Sequence, residues 1–309
     1  MFGLVLLLGI GLSWFSSVHP AEMPVWGPWE FSWAEYLGPM LALIWYARGV
    51  LRMTREARPA LWRQAGYGLG VVSIYVVTQT SLTYLALHLF MATQVQQFVL
   101  HDIGPFLVAL SWPGVALKEG VPTSCLRLLR TRPVSALLRI FQQPVVAALL
   151  FISLLIVQVV PAVVFRMMLD RHVFNTMNIL MAVDGVLFWC LVLDPRPRPQ
   201  AAVSFFTRMV LAFVVMFPVM PIGAYIAFTT RVLYGFYDIC GRLDWFSPSS
   251  DQCLGGLILW IPSGLMSSVA VLLPLNAMRL AEERKERLTR KVFVQIGQRQ
   301  IDASAWTGR

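Results

Sequence analysis

The sequence predicts an all-α integral membrane protein: a bundle of seven transmembrane helices, N-terminus outside, C-terminus cytoplasmic. Three observations lead there. Of 309 residues, 57% are hydrophobic and only 13% charged, whereas a soluble domain is about a quarter charged. Seven stretches stay apolar for about 20 residues, the length that crosses a hydrocarbon core. The segments joining them alternate between rich and poor in Lys and Arg, which orients the chain by the positive-inside rule.

Residues 1–30 begin MFGLVLLLGIGLSWFSSVHPAEM, an apolar run followed by small residues. This segment reads as a signal peptide or as a short anchor that stays attached; no Lys or Arg precedes the apolar run. The membrane domain follows over residues 31–280, with spans expected near 32–50, 67–90, 95–117, 143–166, 175–193, 205–232 and 255–278. Residues 281–309 form a basic cytoplasmic tail. Of the 25 Lys and Arg residues, 21 follow the first, third, fifth and seventh spans; only Arg166, Arg171, Arg231 and Arg242 fall on the other side. The net charge of +9 and pI near 9.8 are therefore a topology signal and not a nucleic-acid footprint. The tail reads as a solvated helix beside anionic lipid.

Polar residues inside spans are costly, so each needs a reason. Gln94, Gln97 and His101 stand at i, i+3, i+7 on one face of the third span, with Asp102 beside them. Ser81, Tyr84 and His88 form a similar face on the second. Met177, Met181 and Asp184 form another on the fifth, next to Asn178. All four histidines (His19, His88, His101, His172) fall on or near the outer side. Imidazole, thioether and carboxylate are copper-binding or proton-carrying groups. The competing reading makes the amides interhelical glue and the methionines core filler.

Four cysteines with no CxxC pair exclude a zinc ribbon and a disulfide scaffold. Cys240 and Cys253 both belong to the last outer loop, where a disulfide is expected and copper-binding thiols are the rival. Asp251 and Gln252 open the seventh span; Asp251 is placed to cap it or to orient the loop against a partner.

Three patches carry a resemblance: Gln96-Gln97 through Asp102-Ile103-Gly104-Pro105; Gly185-Val186-Leu187-Phe188-Trp189 with Asp194-Pro195-Arg196-Pro197; and Asp251-Gln252-Cys253-Leu254-Gly255-Gly256 with Trp260 and Pro262. Over roughly residues 30–280 they resemble the CtaG family of cytochrome c oxidase assembly factors, the multi-span type linked to caa-type oxidases. The resemblance implies help in forming the copper centre of a heme–copper oxidase, at the outer face of a bacterial inner membrane, with oxidase subunits as partners. It gives the third span a pattern of roughly His-Met-x-Gln-His and the fifth His-x-x-Glu-His. Here Thr93 and Gln97 stand at the third-span histidines, Phe174 and Asn178 at the fifth-span histidines, and Met177 at the glutamate; Gln96, His101, Asp102 and Pro105 match. Copper would then fall to His101 and Asp102, with His88, His172, Met177 and Met181 as helpers.

The expected function is copper-centre assembly or copper delivery. The alternative is a metal-free accessory subunit of a respiratory complex. A copper permease ranks below both, as no internal repeat is visible. No HExxH, GxSxG or paired-carboxylate motif suggests an enzyme.

Overall fold

The computed structural model describes residues 2–19, 22–239, 241–243 and 246–306, with side chains as far as 287. Every regular element among them is helical. Helix α1 (Phe2–Val18) leans on α2 (Trp33–Arg52), where the Tyr36 hydroxyl donates to Val5 O at 3.0 Å. Then come α3 (Leu61–Gln79), α4 (Leu82–His88), α5 (Phe90–Leu110), α6 (Gly114–Gly120), α7 (Thr123–Leu129) and α8 (Arg132–Phe141). The second half holds α9 (Pro144–Val157), α10 (Pro161–Leu169), α11 (Arg171–Val192), α12 (Phe205–Phe228) and α13 (Pro248–Trp306).

Among the described residues, three helices are long and apolar enough to cross a membrane alone: α11, α12 and α13 over Pro248–Arg287. Three bent pairs pass together, α3 with α4 at 56°, α5 with α6 at 85° and α8 with α9 at 73°, for up to six spans. Helix α2 is as long as a span but carries Glu35, Arg48 and Arg52 and is not among them. The stretch expected as one span over 143–166 is two helices, α9 and α10. Pro161 opens α10 at its first turn, where its missing N–H costs nothing. Helix α8 is strongly amphipathic and bends sharply from α9, the geometry of a segment lying in the interface.

Helix α5 is central, packed on α3, α4, α11 and α13. It contains one π-helical turn, Val99–Ile103, in which Gly104 N donates to Val99 O five residues back. Pro105 explains much of this turn. Lacking an N–H, it leaves the carbonyl of His101, four residues earlier, without its helical donor. The indole Nε1 of Trp189 on α11 supplies one at 3.0 Å. Gly185 lets α11 come that close, since a Cβ there would lie 2.5 Å from His101 O and 2.8 Å from Pro105 Cγ. Trp189 then anchors the main apolar cluster with Phe106, Phe151 and Phe188.

Gly185→Val is expected to destabilise the bundle by about 1–3 kcal/mol, the usual range for overpacking. Gly38→Ala, on α2, should leave stability unchanged or slightly raised, because a Cβ at Gly38 meets nothing within 4 Å. Thermal melts of the two detergent-purified variants against the parent check both.

Candidate functional site: a polar seam along the central helix

The polar residues of α5 each face a different neighbour. Gln94 exchanges hydrogen bonds with Gln158, which follows α9: Gln158 Nε2 donates at 3.1 Å and Gln94 Nε2 returns at 3.4 Å. Gln96 Nε2 donates to Val77 O at 2.7 Å. Gln97 Nε2 donates to Asn178 Oδ1 on α11 at 3.0 Å. Asn178 Nδ2 in turn donates to Glu35 Oε1 on α2 at 3.1 Å. Gln79, at the end of α3, donates to Ser32 O at 3.2 Å and to the other Glu35 oxygen at 3.5 Å. Four helices are thus tied through one chain of amides ending on a carboxyl that is 6% exposed.

The next turn holds His101, fully buried. Its Nε2 lies 3.0 Å from Asp184 Oδ2, and its ring stacks on Phe151 at 3.9 Å between centroids. Asp102, the next residue of the same turn, points away from this pair. Asp102 lines a narrow crevice with Met216, Met220, Trp260, Ser263 and Ser267, and its Oδ2 is buried without a hydrogen-bond partner.

The remaining expected ligands lie elsewhere. His88 Nδ1 is 2.7 Å from Tyr84 O, and its ring packs on Tyr84. His172 is exposed at the start of α11, its backbone N–H capped by Asp170 at 2.9 Å. Met177 and Met181 are buried in an apolar cluster with Val77, Leu100 and Phe174. Among the described residues, no three His, Cys, Asp or Glu side chains gather as a metal-binding group.

The positions where histidines were expected are nonetheless neighbours in part. Gln97 and Asn178 bond directly. Phe174, one turn from Asn178, packs in the apolar cluster. Thr93 Oγ1, one turn from Gln97, bonds Ala86 O at 2.5 Å and the Tyr237 hydroxyl at 2.9 Å. Burial pushes the Tyr237 phenol above its usual range, so it stays protonated. Neutral carboxamides, a hydroxyl and a phenyl ring do not make a copper ligand set. Glu35, Gln79, Gln158 and Asp184 complete the seam; of these only Asp184 was placed on a polar face from the sequence. Their signal was present, since each interrupts an apolar run.

Asp251 and Gln252 hold the 229–247 connection. The Asp251 carboxylate accepts from Phe90 N at 2.9 Å and Met91 N at 2.8 Å, capping α5 and not its own helix. Arg242 pairs with that carboxylate and also with Asp238 at 2.6 Å. Gln252 accepts from Leu233 N at 2.7 Å and donates to Ile226 O and Arg231 O. Cys253 lies in the same helix; the expected Cys240–Cys253 bridge falls on Cys240, outside the described residues.

A family model described as cytochrome c oxidase caa3 assembly factor (Caa3_CtaG) matches residues 44–279. No curated protein and no solved structure matches the chain.

Asp251→Ala is expected to cost about 3–5 kcal/mol, because it strips the α5 cap and leaves the buried Arg242 with only the half-exposed Asp238 as its ion-pair partner. Adding Arg242→Leu should recover part of that loss. A double-mutant cycle by thermal melting reads the coupling; additive losses would mean the pair does not couple.

Proposed function

The chain belongs to the family of cytochrome c oxidase caa3 assembly factors, and from that premise we propose that it is a non-enzymatic, multi-pass assembly factor of a bacterial inner membrane. It holds subunits of a heme–copper oxidase while the oxidase is built. Helix α2 together with the six apolar candidates makes seven spans. An odd number puts the two ends on opposite sides, and the distribution of Lys and Arg assigns the C-terminus to the cytoplasm.

The observation that carries the metal-free form of this role is the Gln97–Asn178 contact. Two positions where the family resemblance expects imidazoles touch, and here they hold a hydrogen-bonded amide pair that also fixes Glu35. Such a pair stiffens the bundle and offers copper only neutral oxygen. His101 is likewise engaged, by Asp184 and Phe151. A second reading, copper delivery, rests on one observation. The unpartnered Asp102 carboxylate shares its crevice with the side chains of Met216 and Met220, and soft sulfur suits Cu(I).

Purified chain loaded with Cu(I) and washed is expected to retain essentially no copper by mass spectrometry. Gln97→His with Asn178→His should retain about one per chain, since two imidazoles then meet where the amides did. One copper on the parent, lost in Asp102→Asn, would establish the delivery reading instead. Normal oxidase spectra in cells lacking the chain would overturn the assembly role itself.

A further inference from the structure

A cavity of about 670 Å³ forms a groove between α2, α3 and α11. Helix α2 packs on α3 and α6, while α11 packs on α5, α9 and α10, and the Glu35–Asn178 hydrogen bond joins the two walls at one end. The α11 wall presents Asn178, Ala182, Val186 and Cys190 at four-residue steps and continues to Leu191. Thirteen residues of rise make the groove about 20 Å long, roughly two thirds of a hydrocarbon core.

Its walls are apolar and its ends are not. At one end Asp194 and Arg196 neutralise each other, with Arg196 Nη2 2.8 Å from Asp194 Oδ2. At the other end Glu35 lines the groove and has no ion-pair partner among the described residues. Two amide donors reach its carboxyl, which has about four lone-pair sites to fill. Arg171, which lines the adjoining cavity, is held by Glu30 at 3.1 Å and by Phe31 O at 2.6 Å. A buried carboxylate left so is costly, and a cationic donor entering along the groove relieves that cost.

The lining selects the occupant. A cavity of about 670 Å³ is in the usual range for a small-molecule site, and apolar walls with an anionic group at one end suit an amphiphile with a cationic head. We propose that the groove binds one phospholipid with a primary-ammonium headgroup, its ammonium against Glu35 and one acyl chain along α2 and α11. A second cavity of about 480 Å³ shares Ala34 and Ile179 with the groove and is lined by Arg171 and His172, which suits the phosphate. An anionic headgroup would meet the uncompensated Glu35, and a quaternary ammonium would bring no N–H to it. The proposal is independent of the assembly role.

The test is native mass spectrometry of the full chain, delipidated in detergent and titrated with phosphatidylethanolamine, phosphatidylcholine and phosphatidylglycerol of matched chains. One phosphatidylethanolamine per chain is expected, favoured about tenfold over the other two. Glu35→Gln should reduce that preference to about twofold or less while chain-dependent binding persists. Gly38 lines the groove and has open space around it, so Gly38→Phe fills the groove and should weaken all three lipids about tenfold without lowering the melting temperature. Ala182→Phe, on the opposite wall, serves as a second filling variant. Equal binding of the three lipids, a preference for phosphatidylglycerol, a preference untouched by Glu35→Gln, or full binding by both filled variants would each overturn the proposal.

Discussion

Inside an apolar bundle, a polar side chain has to find its partner within the chain. That constraint organises this protein more than any single apolar contact. Hydrocarbon contributes little to holding helices together, because lipid tails are as apolar as leucine. Register and rotation are therefore set by packing shape and by polar groups that have one satisfactory arrangement. Gln97, Asn178, Glu35 and Gln79 fix α5, α11, α2 and α3 relative to one another. Gln94 with Gln158 does the same for the segment after α9. Rotating α5 by one residue would break all of these together.

The same constraint accounts for the two specialised features of α5. At its start, the exposed donors of Phe90 and Met91 are closed by Asp251 from another helix, whose charge is balanced by Arg242. In its middle, the carbonyl orphaned by Pro105 is closed by Trp189. Each defect in the helix is repaired from α11 or α13, so the defects themselves become attachment points. The three sequence patches that carry the family resemblance are the parts of this repair: Gly104-Pro105 creates the orphan, Gly185 and Trp189 answer it, and Asp251 caps the entry.

Much of this was legible in the sequence, and the limit is physical. Apolar length announced the helices, and the polar face of Gln94, Gln97 and His101 was visible from spacing. Spacing assumes 3.6 residues per turn, however, and the π turn at Val99–Ile103 adds a residue. His101 and Asp102 both lie within this turn; His101 meets Asp184 while Asp102, one residue on and so around the helix, looks into a different crevice. Glu35 and Gln158 were equally conspicuous as polar residues in apolar surroundings. Their partners were not, because the partner of a buried amide depends on how two distant helices rotate against each other, and no local pattern encodes that. The break between α9 and α10 was signalled by Pro161, whose effect depends on whether neighbours satisfy the freed carbonyls.

Glu35 is a buried carboxyl whose hydrogen bonds come only from amides. Amides can donate to a carboxylate but cannot neutralise it, and the groove beside it is filled by no side chain of the described structure. Three other carboxylates meet a cation or an imidazole: Asp194 pairs with Arg196, Asp251 with Arg242, and Asp184 lies against His101. Glu35 sits at the end of the groove where Asn178 ties α11 to α2, so a ligand that neutralised it would act on that joint. Because Asn178 bonds both Glu35 and Gln97, any occupant of the groove acts on the seam of α5 through a single side chain. A change in the charge of that carboxyl would reorder the amide chain, since a protonated Glu35 would need an acceptor where it now receives a donor. The polar seam and the groove are therefore one coupled unit, with Asn178 as the joint.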